Sequence, residues 1–351
     1  MRSRRHSSLT AAAILRTLVL SICMGTVVCC VLGIMGAGGR ANAQDFFGNR
    51  GDPIPPELED IYSRGLEYLA RTQSPDGSWA QNMGQEPAVV GFAVLSFLAH
   101  GDDPNTGPYA PVIKRGVEYI LSKQNEKTGY IGTSMYNHGF STLVLAEAYG
   151  VVEDPRIGQA LKKAVDLILY AQSINPQGGW RYSPESRDAD STVSGAQMVA
   201  LFAARNAGLP VPEDAIQKGI AYLKSCQAAD GGIGYTGRDG GNGPRTAIAA
   251  LVFALDKKQK GKEAIAATAF LRTRPENDTS YLQYYLYYAA QALYQNSREG
   301  WKEWNAANIK SLQASQGKDG SWDGSFGPIF GTAGSLLSLA LNYGFLPIYE
   351  R

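Results

Sequence analysis

The chain is short of cysteine, histidine and net charge. Its 351 residues hold four cysteines and three histidines. Cys23, Cys29 and Cys30 fall within the first thirty residues, so the chain past residue 43 carries Cys226 alone. One thiol cannot build a disulfide framework. Together with His100 and His138 it also falls short of a tetrahedral zinc set, so no metal is expected. Neither a phosphate-cradling glycine loop nor a Ser/His/Asp nucleophile set is legible, so no cofactor is expected. Only 19% of the residues are charged. Once the five arginines of residues 1–43 are set aside, 28 basic residues face 32 acidic ones. A chain of that sign has no bulk electrostatic attraction to nucleic acid. Forty glycines without a Gly-X-Y period exclude collagen, and a hydrophobic content of 44% excludes disorder as the main state.

Residues 1–43 stand apart. Arg2, Arg4 and Arg5 precede an uncharged stretch from Thr17 to Ala37, and small residues close the segment at Ala41-Asn42-Ala43. This is the layout of a secretory signal cleaved after Ala43, which predicts an exported protein, periplasmic or secreted. The uncharged stretch is also long enough to span a bilayer if cleavage does not occur. An N-terminal anchor, and with it a place at the membrane surface, therefore stays open. Residues 44–56 read as a short extended lead-in, and residues 57–351 as a single domain.

That domain is built on a repeat of about fifty residues. RGLEYLARTQ ending at Gln73, RGVEYILSKQ at Gln124, KAVDLILYAQ at Gln172 and KGIAYLKSCQ at Gln227 vary one segment. A small residue (Gly65, Gly116, Ala164, Gly219) precedes each glutamine by two turns of helix. A degenerate fifth copy places Ala264 and Arg272 in these slots, and a sixth ends at Gln316. Within the first copy Leu58, Ile61, Tyr62, Gly65, Leu66 and Leu69 form one apolar stripe at helical spacing, with charge opposite. A glycine-rich turn follows each copy. Then comes a segment apolar on nearly every side, such as AVVGFAVLSFLA from Ala88 to Ala99. Six hairpins of one half-wet and one buried helix are best satisfied by an all-α (α/α)6 toroid, buried helices inside and amphipathic helices outside. An open solenoid would need polar outer faces on its terminal repeats. The last inner segment, SLLSLAL from Ser335 to Leu341, is as apolar as the others, which favours closure.

Gln73-Ser-Pro-Asp76-Gly77-Ser-Trp79 and Gln316-Gly-Lys-Asp319-Gly320-Ser-Trp322 resemble the QW motif of squalene–hopene and oxidosqualene cyclases. Related repeats occur in protein prenyltransferase β subunits. The resemblance extends over nearly all of residues 57–345 and implies the same toroid. It makes Gln73, Trp79, Gln124, Gln172, Trp180, Gln227, Gln316 and Trp322 structural. The glutamine amide is suited to helix-end groups, and the indole to stacking over the turn and tying neighbouring hairpins together. The prenyltransferase zinc site is not expected, because Lys224 stands where an Asp-x-Cys pair ending at Cys226 would need its acid.

The resemblance also implies a site. Class II terpene cyclases carry Asp-x-Asp-Asp-Thr at the start of an inner helix, just after a Gly-Gly-aromatic turn, and use it to protonate an alkene or epoxide. This chain has Gly178-Gly179-Trp180-Arg181-Tyr182 and then Asp188-Ala189-Asp190-Ser191-Thr192. Asp190 takes the proton donor's place, Asp188 flanks it, and Ser191 replaces the third carboxylate. That loss alters the hydrogen bonding and like-charge coupling that set the donor's acidity. The residues carry a second reading as well, since Asp, Ser and Thr before an apolar helix are favoured N-caps.

Tyr281, Tyr284, Tyr285 and Tyr288 share a face of the fifth inner segment. They would form an aromatic wall for an apolar ligand or carbocation if they face the axis, and packing if they face a neighbouring hairpin. Tyr136 and His138, at the mouth of the second inner segment, are candidate ligand contacts. His138 also suits local hydrogen bonding, and His100 a helix C-cap. Two functions follow. One is an exported terpene-cyclase-like isomerase protonating an apolar polyprenoid through Asp190. The other is a non-catalytic toroid that binds an apolar small molecule or a protein partner.

Overall fold

The structure, a computed structural model, describes residues 54–273 and 281–349; the expected leader 1–43 and the lead-in up to residue 53 lie outside the described residues. Twelve α-helices run through the described residues as six hairpins. These are α1 Pro56–Thr72 with α2 Pro87–His100, α3 Ala110–Ser122 with α4 Met135–Ala148, and α5 Ile157–Ile174 with α6 Ser191–Asn206. Then follow α7 Glu213–Ser225 with α8 Gly243–Leu255, α9 Lys262–Thr273 with α10 Leu282–Asn296, and α11 Arg298–Ser315 with α12 Pro328–Leu339. Among these residues strand-like pairing is confined to isolated bridges in the turns, such as Gln73 with Trp79 and Gln124 with Ile131. No helix among them is long and apolar enough to cross a membrane.

The two helix types differ as the sequence requires. In α1 the stripe from Leu58 to Leu69 is buried while the charged side chains face out, whereas every residue of α2 from Val89 to Ala99 is buried. The inner helices pack one on the next around a ring. α12 returns onto α2 and α11 onto α1, so the fold is a closed (α/α)6 toroid.

The repeated glutamine supplies the joint between hairpins. Each amide nitrogen donates twice, once to its own glycine turn and once to a carbonyl near the start of the next outer helix. Gln73 Nε2 reaches Gly77 O at 3.1 Å and Val112 O at 3.0 Å. Gln124, Gln172 and Gln227 repeat this with Ala160, Ala215 and Glu263. At the seam Gln316 Nε2 donates to Gly320 O at 2.9 Å and to Ile61 O of α1 at 2.8 Å. The turn glycine makes this approach possible. Gly77 has φ +90°, and a Cβ there would lie 2.1 Å from Arg115 O of α3.

One expectation is filled out here and one is corrected. The Trp322 ring meets the neighbouring hairpin, since a Cβ at Gly65 of α1 would lie 3.1 Å from its Cζ3, while the indole N–H groups stay within their own hairpins. Trp79, Trp180 and Trp322 donate to Leu69, Ile168 and Leu312 O of their own outer helices, each at 2.9 Å, so they lock the turn back onto its hairpin. The fifth copy also sits one turn later than its sequence suggests. Each joining carbonyl lies four residues before the small residue: Val112 before Gly116, Ala160 before Ala164. Glu263 therefore points to Ala267, not Ala264. Gly231 packing against Ala266 O gives the same register. Arg272 leaves the glutamine slot, which falls at Pro275, outside the described residues.

Candidate acid site at the mouth of the ring

Asp190 is the N-cap of α6 and is fully buried. The chain reaches it through a loop held by side chains. Asn175 Nδ2 donates to Ser186 O and Asp188 O, Trp180 N–H to Ser194 Oγ at 2.9 Å, and Asp190 N–H to Trp180 O at 3.0 Å. The QW turn thus fixes the backbone from which the carboxyl projects.

The two carboxyl oxygens have different surroundings. Oδ1 accepts from Thr192 N–H at 2.9 Å, Val193 N–H at 2.8 Å and Thr192 Oγ1 at 2.6 Å, which is a complete N-cap. Oδ2 is buried without a hydrogen-bond partner in the protein, and Arg181 Nε stands 3.6 Å away. Burial pushes the carboxyl's pKa up, and the bonds from Thr192 and Val193 and the Arg181 charge only partly offset it. The cap therefore occupies Oδ1 alone, and Oδ2 is left facing Arg181.

Arg181 was not singled out by sequence, yet it organises the site. Its guanidinium lies over the rings of Tyr182 and Tyr235 at 5.2 and 5.4 Å from their centroids, and Nη1 donates to Asp188 Oδ2 at 2.7 Å. The Asp188 side chain is 60% exposed and pairs with Arg181. Tyr182 and Tyr235 are hydrogen-bonded hydroxyl to hydroxyl. Ser191, in the third carboxylate's place, is fully buried, and its hydroxyl donates to Gly234 O at 2.8 Å. It serves the joint between α6 and the next turn.

Tyr136 comes to the site as expected. Its hydroxyl is hydrogen-bonded to Thr192 Oγ1, one bond removed from Asp190 Oδ1. His138 does not. Nδ1 accepts from Ile131 N–H at 3.1 Å, Nε2 donates to Ala164 O at 3.0 Å, and burial pulls the pKa down to about 4. A neutral imidazole with both nitrogens committed to backbone ties the second turn to α5 and has nothing left for a ligand.

The aromatic wall is also rearranged. Tyr281 precedes α10 and is 48% exposed against Phe326, while Tyr285 is buried. The rings that meet across the axis are Tyr284, Tyr287 and Tyr288, with Phe92 of α2 and Phe140 of α4. Phe92 lies 4.8 Å from Phe140 and 4.9 Å from Tyr287, and Tyr284 lies 6.3 Å from Phe140. The hydroxyls of Tyr284 and Tyr288 are buried without hydrogen-bond partners in the protein. Burial raises the Tyr284 pKa far above the phenolic value.

Residues 83–247 match the squalene-hopene cyclase C-terminal domain family. Over 206 residues, half of this chain and 30% of the relative, the sequence is 26% identical to a squalene–hopene cyclase of Zymomonas mobilis. Over 140 residues, 35% of this chain and 17% of the relative, it is 29% identical to lanosterol synthase erg7A of Aspergillus fumigatus. The matched stretches thus span less than a third of these curated relatives. Among solved structures, the type II terpene cyclase MstE of Scytonema superposes with a TM-score of 0.58 at 18% identity, covering 84% of this chain and all of that one. An alpha-1,6-mannanase, GH76A of Salegentibacter sp. HEL1_6, superposes with a TM-score of 0.67 at 11% identity, covering 82% and 99%. The first has a variant solved with geranylgeranyl dihydroxybenzoate, the second a variant solved with alpha-1,6-mannotriose, so the toroid alone does not fix a chemistry. The QW joints, the match of residues 83–247 and the shared ring make this chain a squalene cyclase-like α/α toroid, similar in sequence to that family through the acid site.

Proposed function

We propose that the protein is a class II terpene-cyclase-like isomerase, exported by its N-terminal leader, in which Asp190 protonates an apolar polyprenoid. The observation that carries this reading is the divided carboxyl, with Oδ1 consumed by the cap and Oδ2 buried without a hydrogen bond beside Arg181, in a group whose pKa burial raises. A buried carboxyl whose pKa is raised is the kind of acid that alkene protonation calls for. In the step, the Asp190 O–H bond breaks and its proton adds to an alkene carbon or an epoxide oxygen. The neighbouring carbon is left electron-poor, and internal double bonds attack it in turn. Loss of a proton ends the sequence, so the reaction balances as an isomerisation, and Asp190 is reprotonated from solvent. The aromatic rings of Tyr284, Tyr288 and Phe140 suit the positive charge that develops. The test is incubation with squalene and shorter polyprenols, with extracts resolved by mass. Wild type yields a cyclised isomer and Asp190→Asn yields none, with matching circular dichroism. Absence of any isomer from wild type overturns the proposal.

One observation favours a second reading, a non-catalytic toroid binding an apolar small molecule or a protein. Arg181 within 3.6 Å of Oδ2 stabilises the carboxylate over the acid, and Ser191 is spent on Gly234 O. On that reading Asp190→Asn leaves binding of a labelled polyprenoid intact.

A further inference from the structure

Away from the acid site, positive charge concentrates in one place. The loop from α8 to α9 reads Lys257-Lys258-Gln259-Lys260-Gly261-Lys262, in a chain that is acidic overall past residue 43. With Lys224 at the end of α7, three of these lysines (Lys257, Lys258, Lys260) line a cavity of about 570 Å³ walled by Phe253 of α8 and closed on one side by Glu263 of α9. Two of the four ammonium groups are paired, Lys224 with Glu263 at 3.5 Å and Lys258 with Asp256 at 2.5 Å. Among the described residues Lys257 and Lys260 have no carboxylate at ion-pair distance. The loop is also set in shape. Lys257 N–H donates to Ala254 O at 2.8 Å and Lys258 N–H to Phe253 O at 3.1 Å, and Lys257 holds φ +57°, a conformation that disfavours side chains. Lys257 and Lys260 are thus exposed, carboxylate-free cations on a tightly bonded loop at the edge of a partly apolar cavity, and the site carries net positive charge.

We propose that this cleft binds a phosphate-bearing anion. Ammonium groups are point charges suited to phosphate oxygens. The apolar wall of Phe253 lowers the local dielectric and strengthens the attraction. The first turn of α9 opens at Lys262 beside the cavity, and its positive end adds to the same field. The cavity has room for a diphosphate group, and the phosphate of an anionic lipid headgroup offers the same chemistry. The site is independent of Asp190 and of the reaction proposed for it.

The test uses the full chain and inorganic diphosphate in titration calorimetry, at low and at physiological ionic strength. The expected result is saturable binding at one site that weakens with salt. The double variant Lys257→Gln/Lys260→Gln weakens it about tenfold or more, while Lys127→Gln/Lys162→Gln, which removes two exposed lysines elsewhere, leaves it unchanged. Thermal melts of both variants check that the fold is retained. Sedimentation with phosphatidylglycerol and phosphatidylcholine vesicles separates the two sources. Binding to the anionic vesicles alone, competed by diphosphate and lost in the first variant, identifies a headgroup; calorimetric binding without sedimentation identifies a soluble ligand. The proposal is overturned if neither diphosphate nor anionic vesicles bind saturably, or if the control variant weakens binding as much.

Discussion

Removing the Gln316 amide tests whether the ring is held shut by the same joint that links its other hairpins. Gln316→Leu keeps the approximate volume and deletes two donated bonds, to Gly320 O at 2.9 Å and to Ile61 O at 2.8 Å. At about 0.5–1.5 kcal/mol net for each bond the loss is about 1–3 kcal/mol. Gln316 Oε1 is buried without a partner, so deleting it returns part of that cost and the expectation falls to about 1–2 kcal/mol. Gln124→Leu is the reference. It deletes the matching pair, to Gly129 O at 3.0 Å and Ala160 O at 2.9 Å, between hairpins adjacent in sequence, and should cost about 1–3 kcal/mol. Urea unfolding followed by circular dichroism measures both as a lowered midpoint with unchanged slope. Arg64 Nη2 donates to Gly317 O across the same seam at 2.8 Å, so Arg64→Met should compound the Gln316 effect. A silent Gln316→Leu beside a costly Gln124→Leu would mean that the sixth hairpin does not bear on the first, and the closed ring would have to be abandoned.

Four further outcomes follow from the polar groups at the acid site and the seam. Asp190→Ala should lower stability by about 0.5–2 kcal/mol through the lost cap, and Asn should retain most of it. Because burial raises the folded-state pKa of Asp190, the wild type gains stability from the neutral form at low pH and loses it as pH rises through that pKa; denaturant midpoints of Asp190→Asn should therefore improve relative to wild type with rising pH. Ser191→Asp should destabilise by about 1–3 kcal/mol, read in the same assay, since a carboxylate there would face Gly234 O. At the seam His100 lies between Asp102 Oδ2 at 2.8 Å and Glu59 Oε1 at 3.3 Å; burial opposes its charge, but the carboxylates prevail and its pKa is raised. Its contribution is then fully present below about pH 6.5 and lost as pH rises through the folded value, so thermal melts of wild type and His100→Gln should converge in alkali.

The ring was legible because its signals are periodic. A stripe such as Leu58 to Leu69 can be buried only on one side, and a segment such as Val89 to Ala99 only on all sides, so the layering follows from the pattern. The seam was legible only as an inference from the apolar last helix, since no local pattern announces that Gln316 will reach Ile61. The fifth register slipped because Ala264 and Ala267 are both small and the glutamine that would choose between them is missing. At the site, Asp190 was legible through its motif and Tyr136 through its place at a helix mouth. Arg181 and Tyr235 were not, because the loop's fold brings them together and that fold depends on Asn175 and Ser194. Tyr287 was missed because the aromatic face was indexed from Tyr281, which lies before the helix begins. His138 shows the opposite error, since a histidine at the mouth of a ring resembles a ligand contact until both its nitrogens are found on backbone.

Isotope incorporation in deuterium oxide tests most directly the claim that Asp190 delivers the proton. On the proposed reaction Asp190 would exchange with solvent between turnovers, so each cyclised isomer of squalene should carry one carbon-bound deuterium from the initiating step, resolved by mass spectrometry, and Asp190→Asn should form no labelled product. Product lacking deuterium, or equal labelled turnover by Asp190→Asn, would contradict the account.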